Sequence, residues 1–194
     1  MTTFYSMDAS ELTREQKVEA LALLMFLTKK INGLIKNRFC ADGSKQRTYE
    51  GYKKEDDASS TPSNESTMMT STIDAHKGRD IMTVNLPGAY LHIFTKKYII
   101  MLLKGELAEM MVLAAPSLYR KYVTYDRKGV PMLYTRMNKA LYGLLESALD
   151  FYKKLKKDLE AVGFKINPYD PCVANRIVRG KQQTVVWHHQ HHSG

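Results

Sequence analysis

Polar, helix-favouring residues fill positions 11–20, and an apolar run from Leu21 to Lys29 follows, then Ile31-Asn32-Gly33, then a second run from Leu34 to Ala41. Asn-Gly between two strand-like runs predicts a β-hairpin, because the favoured tight turn needs positive φ at its central residues. Residues 43–62 are polar and rich in turn formers, which predicts a mobile loop. Ser63 or Asn64 then caps a helix to about His76, with Met69, Ile73 and His76 on one face. Strands are expected at Asp80 to Leu86, broken by Pro87-Gly88, and at Tyr98 to Lys104. Val123 to Asp126 and Val130 to Arg136 flank Arg127-Lys128-Gly129 and read as a second hairpin. From Asn138 to Val162, apolar residues recur every three or four positions (Leu141, Leu144, Leu145, Ala148, Tyr152, Leu155, Leu159), which predicts a long helix stopped at Gly163. A last hairpin, Cys172 to Val178 and Gln182 to Trp187, turns at Arg179-Gly180. Short turns link most of the strands and no βαβ alternation is present, so the expected class is α+β, an antiparallel sheet packed with helices.

Length and composition leave room for one domain or slightly more: 194 residues, 44% hydrophobic. A formal charge of +9 only weakly favours phosphate-bearing partners or anionic membrane surfaces over acid-rich protein partners, and a solvated basic surface is the plainer alternative. Cys40 and Cys172 lie far apart in apolar surroundings, which argues against a disulfide framework and for a reducing, intracellular setting, cytoplasm or nucleus. The longest apolar runs fall well short of the roughly 18 residues that span a bilayer, and the first residues lack a basic-then-apolar leader, so neither membrane anchoring nor export is expected.

Four segments in order resemble the copia-type retrotransposon reverse transcriptase domain over about residues 20–188. They are Lys36-Asn37-Arg38-Phe39-Cys40-Ala41-Asp42-Gly43, similar to the family's Lys-x-Arg-Leu-Val-Ala-x-Gly, and Asn85-Leu86-Pro87-Gly88-Ala89-Tyr90, similar to its Asp-x-x-x-Ala-Phe/Tyr. Lys139-Ala140-Leu141-Tyr142-Gly143-Leu144 is similar to its Lys-Ala-Leu-Tyr-Gly-Leu, and Gly163-Phe164 with Asp170-Pro171-Cys172 follow in register. The resemblance implies fingers and an incomplete palm in residues 21–188, preceded by a polar segment (1–20) and followed by a His-rich tail (189–194). It also implies an origin in a polyprotein whose integrase and RNase H regions are not encoded here.

In that family two Mg²⁺ ions held by carboxylates clamp the reacting phosphate. Here Asn85 occupies the first metal-binding Asp position, and where the family reads Val-Asp-Asp after Trp187-His188 the chain reads His189-Gln190-His191-His192 and ends. Asp80 is no substitute, since on the expected strand it falls on the opposite face roughly 16 Å from Asn85. The catalytic set is therefore expected to be lost, with no cofactor bound by this chain. The resemblance assigns Lys36 and Arg38 to the triphosphate of an incoming nucleotide and Tyr90 to the floor under its sugar, where an exposed strand and a core aromatic are the plainer alternatives. Lys153, Lys154, Lys156 and Lys157 on the long helix make a second basic face for an RNA or DNA primer-template. Imidazoles at 188, 191 and 192 could converge on Zn²⁺ or Ni²⁺ only in a helical tail, which so short a segment does not hold by itself, so no metal site is expected. Beside an inactive polymerase fragment stand a non-catalytic nucleic-acid-binding module and a structural remnant without selected function. The hairpin strand Gln182 to Trp187 is expected to be left as an edge whose apolar face, Val185, Val186 and Trp187, lacks part of its cover.

Overall fold

The computed structural model describes residues 3–48 and 59–188. The chain divides into two compact units, residues 1–53 with 90–147 and residues 54–89 with 148–194.

In the first unit, β1 (Phe4–Ser6), β2 (Leu21–Lys29), β3 (Ile35–Ala41), β4 (Ile100–Lys104), β5 (Thr124–Tyr125) and β6 (Pro131–Met137) form one sheet in the order β1-β6-β4-β2-β3, with β5 beside β6. The hairpin β2–β3 is present, but its turn is not the two-residue type expected. Three residues, Ile31-Asn32-Gly33, connect strands closed by Lys30 N–H donating to Leu34 O, and only Gly33 has positive φ, +81°. The two-residue turn occurs instead at Arg179-Gly180, where φ is +49° and +75°.

The sheet is mixed rather than antiparallel, because β2 and β4 run parallel, Leu21 beside Met101 and Ala22 beside Leu102. A parallel pair needs a long crossover, and between β3 and β4 the chain contributes residues 54–89 to the other unit. Central strand β4 is apolar on both faces: Met101 and Leu103 join Leu21, Leu23, Leu133, Met137, Leu141 and Leu144 in one core, while Ile100 packs with Ala9, Leu12, Ala20 and Tyr134 on the other side. Helix α1 (Arg14–Glu19) starts at a reciprocal Thr13/Gln16 capping box. Helix α3 (Glu106–Ala114) lays Ala108 and Leu107 on the first core, and α4 (Pro116–Tyr119) follows with proline at its start.

The second unit holds α2 (Asn64–His76), most of α5 (Ser147–Ala161) and a meander of β7 (Lys165–Ile166), β8 (Val173–Val178) and β9 (Lys181–Val186). Ser63 caps α2 as expected, accepting from the Ser66 N–H. Its expected apolar face is not buried, however, since Met69 and Ile73 are exposed. The expected strand Asp80 to Leu86 is absent. The segment is irregular, and Ile81, Met82, Val84 and Leu86 are exposed. Alternation alone cannot make a strand; it needs a ladder partner, and the meander's ladders join β7, β8 and β9 to one another. Asp80 therefore has no strand face opposite Asn85, and the expected separation along a strand does not apply.

The long helix is shorter than its periodicity suggests, beginning at Ser147 rather than Asn138. It ends where expected, Phe164 N–H donating to Leu159 O and Gly163 N–H to Glu160 O, with Phe164 and Leu159 sharing one cluster. That cluster also takes in Cys172, Ala174, Trp187, Tyr152 and Leu155, so Trp187 is buried, contrary to expectation, whereas β9 is an edge of the meander, as expected, with Val185 and Val186 half-buried.

Candidate functional site

Why does the helix not extend back to Asn138? Residues 138–146 are engaged in the first unit instead. Ala140 N–H donates to Ile93 O, Ala41 N–H donates to Tyr142 O at 2.7 Å, and Phe94 and Lys139 form an isolated antiparallel bridge. Gly143 takes φ +90°, and a Cβ there would lie 2.0 Å from Ala41 O; a Cβ on Gly43 would lie 2.0 Å from Gly143 O. Only glycines let these two backbones approach so closely. Gln46, buried within the segment read as loop, accepts from Leu145 N–H at 3.1 Å, and the Ser147 hydroxyl donates to Leu141 O at 2.7 Å.

Side chains complete the junction. Tyr142 lies against Tyr90 with ring centroids 4.4 Å apart. Lys139 is only 4% exposed, donates to Leu91 O at 2.8 Å and sits 4.5 Å over the Phe94 ring. Segments near residues 41–46, 90–94 and 139–145 therefore meet in one place. Tyr90 is buried, and burial first, then neighbouring Tyr142, raise its phenol above the ordinary range. It is a packed aromatic within the junction.

Lys36 and Arg38 lie two residues apart on β3, hence on one face, both exposed, opposite Thr28 and Phe26 respectively. From Leu21 to Ala41 the hairpin carries Lys29, Lys30, Lys36 and Arg38 and no acidic residue. On α5, Lys153, Lys154 and Lys157 are exposed and Lys156 half-buried, but the same helix carries Asp150, Asp158 and Glu160, and Lys154 pairs with Asp158 at 2.6 Å. Its field is therefore diluted, and the hairpin is the purer basic surface.

Asn85 belongs to the second unit, in the irregular segment, whereas Lys36, Arg38 and Tyr90 belong to the first. A neutral amide is a poor match for Mg²⁺ beside a polyanion, so the donor set does not fit the ion that the resemblance implies. Among the described residues, no group of three or more His, Cys, Asp or Glu could hold a metal. Residues 189–192 of the His-rich tail lie outside the described residues.

Two further groups are structural. Asp170 is buried; burial pushes its carboxyl up, but hydrogen bonds from the Ser63 N–H, the Ser66 hydroxyl, the Cys172 N–H and the Ser63 hydroxyl outweigh this and hold it below the ordinary range. The Cys172 thiol, fully buried and donating to Ser60 O, is pushed up to about 11 by burial and then by Asp170, which makes it a poor nucleophile. Among the described residues no helix is long and apolar enough to cross a membrane. No family pattern, no characterised protein and no solved structure matches the chain.

Proposed function

We propose that the chain is a degenerate copia-type reverse transcriptase domain fragment from a retrotransposon polyprotein, with fingers and part of a palm and no polymerase activity of its own. The observation that carries this reading is the junction. Three of the segments that resemble the family, far apart in sequence, pack together through the residues that make the resemblance. Gly143 packs against Ala41 and Gly43, and Tyr142 against Tyr90. Chance motif matches give no reason for such convergence.

Inactivity follows from chemistry. Asn85 carries no charge, and His189-Gln190-His191-His192 stands where the family has Val-Asp-Asp, so no carboxylate of the metal clamp remains. A second reading, a nucleic-acid-binding module without catalysis, is favoured by the acid-free basic hairpin. Incubating the purified chain with a primed RNA or DNA template, nucleotides and Mg²⁺ or Mn²⁺ tests the main reading. No extension is expected, and template-dependent product above a no-enzyme control would overturn it.

A further inference from the structure

Register places Phe26 directly across from Arg38 and Thr28 across from Lys36, so these four share one face of the β2–β3 hairpin. Leu24 and Cys40 lie at the base of the same face; Met25, Leu27, Ile35 and Phe39 occupy the other, continuing the side on which Leu23 and Ala41 enter the core. Phe26 is 52% exposed despite being a large apolar ring in mid-strand, and Lys36 is its diagonal neighbour at roughly 7–8 Å between backbones.

We propose that this face binds single-stranded nucleic acid, with Phe26 as the platform on which a base stacks and Lys36 and Arg38 as contacts to the phosphates on either side. The proposal rests on reading the chain as derived from a polymerase, and it adds the mode of binding and an aromatic residue to the basic pair. An open ring with two cations beside it on the neighbouring strand fits a polymer that alternates a flat apolar group with a negative charge. A duplex fits less well, because its bases are already stacked and offer Phe26 nothing. An acidic peptide would engage the cations and leave the ring exposed. A second copy paired antiparallel along β3 about Asn37 would set Lys36 opposite Arg38, cation against cation.

The test is fluorescence anisotropy of the full chain with labelled oligothymidylate of about 20 nucleotides over a series of salt concentrations, alongside a duplex of equal length. Phe26→Leu should weaken single-strand binding roughly tenfold and leave the log–log salt slope unchanged, while Phe26→Tyr restores affinity. Lys36→Gln with Arg38→Gln should lower the slope by about 1.4, the loss of two phosphate contacts. Far-UV circular dichroism checks that each variant keeps its fold. Wild-type affinity in Phe26→Leu, equal dependence on Phe26 for the duplex, or no single-strand binding by the wild type would each overturn the proposal. Those results leave the polymerase-fragment reading standing, which only primer extension overturns.

Discussion

Gly143 is where backbone conformation and packing make the same demand. Left-handed φ costs an L-residue about 1–2 kcal/mol, and here a Cβ would also overlap Ala41 O. Gly143→Ala should therefore cost more than about 3 kcal/mol in urea unfolding, against about 1–2 for Gly33→Ala, which has φ +81° but nothing within 4 Å. Equal losses would show that the junction yields easily. Asp170 makes a pH-dependent claim. Because its folded value is depressed, its contribution is fully present above the unfolded carboxylate value of about 3.9 and is lost as pH falls through the lower folded value. Asp170→Asn should destabilise by about 1–3 kcal/mol at pH 7, and the gap to wild type should narrow at pH 3. A gap independent of pH would contradict this.

At the scale of elements, hairpins were the most legible features, because turn residues and strand runs sit next to each other in sequence. Cys172 to Val178 and Gln182 to Trp187 pair around Arg179-Gly180 almost as read, as do the runs flanking Arg127-Lys128-Gly129. What failed depended on distant partners. Asp80 to Leu86 reads as a strand but finds no ladder, and residues 138–146 have helical spacing but give Leu141 and Leu144 to a core built mainly from β2, β4 and β6. Amide exchange should accordingly be fast over residues 80–86 and slow in β4 and β6, where the ladder from Ile100↔Arg136 to Lys104↔Met132 lies within the sheet. Protection at 80–86 equal to that of β4 would show a paired strand after all.

Across the whole molecule, the segments of the candidate site could be identified from sequence, but their arrangement could not. Lys36 and Arg38 share a strand face, as their spacing on a strand requires, but Tyr90 meets the Lys139–Leu144 segment and is buried against Tyr142, a contact between residues about fifty positions apart that local spacing does not encode. The charge that the proposed reading turns on, by contrast, is a matter of residue identity: Asn85 is a neutral amide, and residues 189–192 read His-Gln-His-His. On the proposed reading the chain is inactive because it lacks the carboxylates of the metal clamp, and returning one at Asn85 would still leave that clamp short of the family's Asp pair. The decisive measurement is primer extension by the wild-type chain and by Asn85→Asp, side by side on one primed template with Mg²⁺ and then Mn²⁺. The account predicts no product above the no-enzyme control for either protein; template-dependent incorporation by either one would contradict it.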